Sequence, residues 1–137
     1  MKGKASKIKS KAPSTSKLVK DLDKVYSLAI RHRSAIGGMV SCFTCEKKAP
    51  PKEMQLGHYV SRSIKILRWD ENNTRVQCVG CNIFKNGNVI TFREYLVAEL
   101  GEVKVKKLEQ SRFKLFKPDR SWYLERIEHY KSLLTKE

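Results

Sequence analysis

The sequence predicts a small α+β domain, with short strands in its middle and amphipathic helices towards both ends. Three observations predict it. Apolar residues recur at three- and four-residue steps near the start and the end of the chain, as amphipathic helices require. The middle carries brief runs punctuated by Gly, Pro and Asn, the pattern of short strands and turns. Four cysteines stand in two Cys-x-x-Cys pairs at the edges of those runs, where a metal ion can draw them together. With 137 residues, 40% hydrophobic and 31% charged, the core is modest and needs a tie beyond its apolar area.

Residues 1–17, MKGKASKIKSKAPSTSK, hold six lysines and no acidic residue. Such a stretch buries too little surface to offset the entropy of ordering, so it reads as a disordered basic arm that seeks phosphate. Residues 18–37 read as an N-terminal helix. Leu18, Leu22, Val25, Tyr26, Ala29 and Ile30 form its apolar stripe, Ser16 its cap and Gly37-Gly38 its stop.

Residues 38–100 read as the core. Here MVSC is a short strand, CFTCEKKAPP a turn with the first cysteine pair, and EMQLGHYV a second strand that forms a hairpin with the first. SRSIKILRWDENN is a polar connection in which Asp70 or Asn72 opens a turn. TRVQC extends briefly into the second cysteine pair, and a short helix starts near Gly80-Cys81 and stops at Asn86-Gly87. VITFREYLVAEL and GEVKVKKLEQ read as two helices parted at Gly101. Residues 101–137 complete the chain and end in the helix SWYLERIEHYKSLLTK. Ser121 is its expected cap, and Trp122, Leu124, Ile127, Tyr130, Leu133 and Leu134 its expected apolar side.

Cys42, Cys45, Cys78 and Cys81 are all the cysteines of the chain. Each two-residue gap lets one tight turn present both sulfurs, and two such turns supply tetrahedral zinc. Four thiolates leave no open position, so a structural Zn²⁺ is expected, its binding contributing to folding. Zinc ligation in place of disulfides suits a reducing compartment, so a cytoplasmic location is expected.

Lysine and arginine outnumber aspartate and glutamate by 29 to 14, for a net charge of +15. That surplus points to a polyanion, and DNA is the expected partner. No apolar stretch of about 18 residues and no strongly amphipathic basic helix stands out, so no membrane partner is expected. The basic N-terminus is not followed by an apolar segment, so no secretory signal is expected.

His58 lies on or just after a predicted strand inside the zinc-closed loop, and Asn82 directly follows the last cysteine. His32 and His129 lie on helices without chemical partners in view. A strand histidine facing an oxygen ligand suits phosphodiester hydrolysis. Neutral imidazole takes a proton from water, and a hard cation, Mg²⁺ or Mn²⁺, neutralises the phosphate. The Asn73 amide is placed to brace the loop that aims His58. Arg62, Lys65, Arg68, Arg75, Lys85 and Arg93 surround this centre as candidate phosphate contacts. Trp69 reads as a core anchor rather than a base-stacking residue.

The strings GHYVSR, LRWDENNTRVQCVGCNIFKNGN and FREYLVAELG resemble the NinG (Rap) family of lambdoid phages, within the HNH or ββα-metal nucleases. The resemblance covers residues 38–110. It implies a zinc-stabilised ββα-metal core with flanking N- and C-terminal helices, with His58 as general base, Asn73 as brace and Asn82 as ligand of the catalytic cation. It further implies endonuclease action on branched recombination intermediates such as Holliday junctions, D-loops or flaps, beside a phage recombinase in the host cytoplasm. Two symmetric cuts would call for a homodimer. One departure stands out. Many members carry aspartate just before the base histidine, and here that residue is Gly57. Gln55, Asp70, Gln77 and His58 itself are the candidates for the second cation ligand. The rival readings are an HNH enzyme nicking ordinary duplex DNA and a non-catalytic zinc-ribbon module.

Overall fold

The computed structural model describes residues 12–135, so the predicted basic arm lies outside the described residues up to residue 11. The elements run α1 (Thr15–Arg33), β1 (Val40–Ser41), β2 (Lys48–Ala49), β3 (Gln55–His58), α2 (Lys65–Arg68) and β4 (Thr74–Gln77). A π-turn at Gly80–Phe84 leads into α3 (Val89–Leu100), α4 (Glu102–Ser111) and α5 (Arg120–Leu134). This is a mixed α+β arrangement with two small antiparallel sheets, β1–β2 and β3–β4. Among the described residues no helix is long and apolar enough to cross a membrane.

The chain forms two compact units, one of residues up to Tyr26 with those from Pro118 onward, the other Ser27–Lys117. In the first, the α1 residues Leu18, Leu22, Val25 and Tyr26 are buried, as are Tyr123, Ile127 and Tyr130 of α5. The Tyr26 and Tyr130 rings meet edge to face at 4.8 Å, a geometry that aligns the positive ring edge with the negative face. Helix α1 starts three residues before Leu18, capped by Ser14 rather than Ser16: Ser14 Oγ accepts from the Lys17 amide at 3.2 Å. In α5 the cap is Asp119 rather than Ser121, its carboxylate accepting from the Trp122 amide at 2.9 Å. A carboxylate is the stronger acceptor at a helix N-terminus. That start sets the buried side at Tyr123, Ile127 and Tyr130, while Leu124 is exposed, a correction to the expected apolar face.

The second unit carries the sheets. Helix α1 ends at Arg33, short of Ile36. Gly37-Gly38 forms a separate two-residue turn, both glycines at positive φ, with Ile36 and Met39 exchanging backbone hydrogen bonds across it. Mirror-image turns of this kind need residues that tolerate left-handed backbone, which glycine does.

The strand pairing differs from the expected hairpin. β1 pairs with β2 immediately after the first cysteine turn, in the register Val40 to Ala49, and Pro50-Pro51 ends that ladder by removing amide donors. β3 pairs instead with β4, in the register Gln55–Gln77, Leu56–Val76, Gly57–Arg75, His58–Thr74. The connection between β3 and β4 holds the short helix α2, followed by a turn that Asp70 opens: Asp70 Oδ1 accepts from the Asn72 amide at 2.8 Å. The segment after Cys78 is a π-turn rather than the start of an ordinary helix, and the Lys85 amide reaches back to Gly80 O at 2.9 Å. Asn86, Gly87 and Asn88 at positive φ then terminate it.

Two apolar clusters hold the unit. One joins Val40, Ala49, Met54 and Val76 to Cys42, Cys78 and Cys81. The other joins Leu67 to Phe92, Leu96, Val105 and Leu108 across α2, α3 and α4. Burying each large side chain contributes roughly 1.5–3 kcal/mol. Gly101 parts α3 from α4 at φ 90°.

Candidate functional site

The four cysteines converge. Their sulfurs lie within 4.8 Å of one another, and Cys45 Sγ is 3.6 Å from Cys78 Sγ. Four sulfurs about 2.3 Å from a tetrahedral zinc would stand roughly 3.8 Å apart, so the cluster has the spacing of a zinc site, whereas a disulfide needs about 2 Å. All four are free thiols. The Thr44 hydroxyl lies 3.5 Å from Cys42 Sγ, the Cys81 amide donates to Cys78 Sγ at 3.4 Å, and Asn88 Nδ2 donates to Cys81 Sγ at 3.7 Å.

These donors shape the thiol chemistry. Burial pushes Cys42 up, yet the Thr44 hydroxyl and neighbouring amides outweigh it and hold the thiol at about 6. At Cys45 the Lys47 amide lowers the pKa, but burial and the three adjacent thiols prevail and push it up to about 12. Four thiolates this close cannot coexist without a cation among them. The cluster therefore fits a structural metal such as zinc.

β3 and β4 bring the second group of residues into place. His58, at the end of β3, hydrogen-bonds through Nε2 to the Arg68 carbonyl at 2.9 Å. A carbonyl only accepts, so Nε2 carries the proton and Nδ1 is the basic nitrogen of the neutral ring. Asn73 is fully buried. Its Oδ1 accepts from the Val60 amide at 2.8 Å, while Nδ2 donates to Val60 O at 2.9 Å and Leu67 O at 3.0 Å. One carboxamide thus pins both ends of the loop between His58 and Arg68. Asn82, in the π-turn, donates from Nδ2 to Gln55 Oε1 at 2.7 Å, which leaves Oδ1 as its polar atom outside this bond. Gln55 and Gly57 share one face of β3 and His58 stands on the other, so Asn82 is joined to Gln55.

The sequence model of the family described as Bacteriophage Lambda NinG protein matches residues 2–136. The chain belongs to the NinG family. Among curated relatives, Protein ninG of Escherichia phage 933W is 30% identical over 94 residues, covering 68% of this chain and 45% of that protein. Protein ninG of Salmonella phage P22 is 30% identical over 92 residues, covering 66% and 43%. Protein ninG of Enterobacteria phage H19B is 38% identical over 56 residues, covering 40% and 28%. The chain thus spans less than half the length of these relatives. No solved structure matches it.

In this NinG-family chain the candidate phosphate contacts divide into two groups. Arg62, Lys65 and Arg68 lie on the loop and short helix that Asn73 braces, with Arg62 and Lys85 exposed. Arg68 donates to Arg62 O at 3.5 Å and its guanidinium lies 5.5 Å from the centre of the Trp69 ring, Trp69 itself being buried. Arg75 and Arg93 are engaged within the protein. Arg75 pairs with Glu99 at 2.9 Å and lies over the Phe43 ring. Arg93 pairs with Glu102 at 2.8 Å and Glu109 at 2.7 Å. Glu109 also accepts from the Tyr59 hydroxyl. Arg93, foremost, holds the Glu109 carboxyl below its ordinary value, and burial, then Glu109, pushes Tyr59 up to about 12. Of the two other histidines, His32 Nδ1 lies 2.8 Å from Leu28 O and His129 stacks edge-on against Tyr130.

Two site residues have roles that spacing did not reveal. Thr44 links Cys42 to Gln77, whose Nε2 donates to Thr44 Oγ1 at 3.0 Å and to Gly87 O at 2.9 Å. The signal for Gln77 was the bare Gly57, because a Cβ there would come within 2.6 Å of Gln77 Cδ and closer still to Oε1.

Proposed function

We propose that this chain is a metal-dependent DNA endonuclease of the HNH or ββα-metal kind, with β3, β4 and the following π-turn and α3 as its ββα core. Its substrates would be branched recombination intermediates such as Holliday junctions, D-loops or flaps. The observation that carries this reading is the bracing of His58. Asn73 fixes Val60 and Leu67, and the next carbonyl, Arg68 O, holds His58 Nε2. A histidine whose tautomer is set in this way is suited to act as general base.

In the reaction, His58 Nδ1 takes a proton from water as the water oxygen bonds to phosphorus. The P–O3′ bond then breaks, and the departing 3′ oxygen takes a proton from solvent. A bound Mg²⁺ or Mn²⁺ supplies positive charge to the phosphate and the leaving oxygen. Asn82 Oδ1 is the residue atom offered to it, Gln55 holding the amide nitrogen. Arg62, Lys65, Arg68 and Lys85 contribute phosphate contacts that carry affinity without sequence readout. Paired cuts in a four-way junction would be made by a homodimer, beside a phage recombinase.

The test is cleavage of four-way junction, flap and linear duplex in Mg²⁺ or Mn²⁺, with His58→Ala beside the unsubstituted chain. The reading expects junction cutting by the unsubstituted chain, abolished in His58→Ala with binding retained. Equal cutting of linear duplex would favour a general nicking enzyme. Binding without cutting by the unsubstituted chain would overturn the enzyme reading in favour of a zinc-ribbon DNA-binding module.

A further inference from the structure

Gln77 is fully buried, yet its Oε1 is the buried side-chain polar atom, among the described residues, that lacks a hydrogen-bond partner. The amide orientation is fixed by chemistry. Nε2 lies 2.9 Å from the Gly87 carbonyl, which only accepts, so the other atom must be the oxygen. That oxygen points at Gly57 from the facing strand and fills the space where a Cβ on Gly57 would stand. Gly57 meets it only with a Cα–H group, a weak donor. Gln55 lies directly opposite Gln77 in the ladder, and Gln55 in turn holds Asn82. Three carboxamides from β3, β4 and the π-turn therefore belong to one face of the β3–β4 pair, the face opposite His58.

We propose that Gln77 Oε1 is the second protein oxygen for the hard divalent cation that Asn82 binds, delivered from β4 into the place a side chain at position 57 would occupy. This rests on the nuclease reading for the cation's role, but its chemistry is that of a binding site and is measured without DNA cleavage. A neutral oxygen donor suits Mg²⁺ or Mn²⁺, which keep several waters and draw much of their charge balance from phosphate. Glycine at 57 and glutamine at 77 are then one device: the carboxamide excludes a side chain at 57 and takes over its donor function.

The experiment is a Mn²⁺ titration of the zinc-loaded full chain, read by electron paramagnetic resonance, for the unsubstituted protein, Gln77→Ala and Gly57→Asp/Gln77→Ala. Bound zinc and circular dichroism establish that each is folded. Gln77→Ala is expected to weaken Mn²⁺ binding at least about tenfold, and the double variant, carrying a carboxylate from β3, to restore or exceed it. Should Gln77→Ala not fold, the unsubstituted protein decides by itself. The side-chain ¹⁵N resonance of Gln77 shifts saturably with Mg²⁺ if its oxygen ligates. A folded, zinc-loaded Gln77→Ala that binds Mn²⁺ as tightly as the unsubstituted chain, or a Gln77 resonance indifferent to Mg²⁺, overturns the proposal. Gln77-dependent binding without any DNA cutting would instead overturn the nuclease reading and leave this one standing.

Discussion

Replacing Asn73 by alanine removes three hydrogen bonds made by one fully buried carboxamide. The partners left behind are unequal. Leu67 is buried and its carbonyl keeps the Asp70 and Trp69 amides, so losing the third donor costs about 1 kcal/mol. Val60 is half-buried, so water rescues its amide and carbonyl in part, and the two together cost about 1–2 kcal/mol. The sum, roughly 2–3 kcal/mol, is a large share of the 5–15 kcal/mol typical of a folded domain. Equilibrium unfolding of the zinc-loaded protein in urea measures it. Asn73→Asp, nearly isosteric, sharpens the test. At neutral pH it turns the Nδ2 donor into a carboxylate oxygen facing two carbonyls, so it should destabilise more than alanine does. The loop also carries the Arg68 carbonyl that holds His58, so both variants should lose the single Nε2–H tautomer in ¹⁵N spectra while still folded. A loss below about 1 kcal/mol, or an aspartate milder than alanine, would refute the brace.

Zinc uptake at pH 7 should release protons, because Cys45 is pushed up to about 12 by burial and neighbouring thiols once the Lys47 amide is outweighed; calorimetry in buffers of different ionisation enthalpy reads them. Gly57→Ala should destabilise by about 1–3 kcal/mol, because its Cβ meets the Gln77 carboxamide. Adding Gln77→Ala should then cost less than the two changes summed, as a double-mutant cycle in urea would show. Thr44→Val removes the hydroxyl between Cys42 Sγ and Gln77 Nε2 and should weaken zinc about 10–100-fold in competition with a chelator. The Glu109 carboxyl is depressed, first by Arg93 and also by Tyr59. Its contribution is present above the ordinary glutamate value of 4.5 and lost as pH falls through the lower folded value. Glu109→Gln should therefore flatten the acid limb of the stability profile, by no more than about 1 kcal/mol because the pair is partly exposed.

The parts of the fold legible in the sequence were those written in local periodicity or in a closed set of residues. The α1 stripe from Leu18 to Ile30 is buried as its spacing requires, and the two cysteine pairs converge because two tight turns and one metal leave few alternatives. The partner of β3 was not legible, because a four-residue strand has too few positions for its alternation to name a neighbour. Pro50-Pro51 held the only local hint that β1 is closed off before β3 begins. The buried face of α5 was ambiguous for a different reason. Trp122, Tyr123 and Leu124 are consecutive and large, so only the Asp119 cap decides which faces inward. At the candidate site, His58, Asn73 and Asn82 stood out by residue type and order, whereas Gln77 was one of four candidates for the second cation ligand. What the sequence did not carry is the pairing of β3 with β4, which sets the Gln77 side chain against Gly57.

That pairing also bears on how the zinc and the histidine are related. The Phe43 amide bonds to Val76 O at 2.8 Å, so the first cysteine turn is fastened to β4, and Cys78 continues β4 directly. The four-cysteine cluster therefore fastens β4 through both of its cysteine pairs, and β4 sets the register in which β3 presents Gly57 and His58. A chain of polar contacts runs alongside, from Cys42 through Thr44 to Gln77, ending at the residue before His58. Loss of zinc would thus reach the histidine strand through backbone pairing and side chain alike. If the cation ligands are Gln77 and Asn82, they bring no negative charge, and the surrounding protein is strongly basic. A divalent cation held by such neutral oxygens would be held more tightly once a DNA phosphate shares it. On the proposed nuclease reading, substrate and metal would then bind cooperatively, each tightening the other.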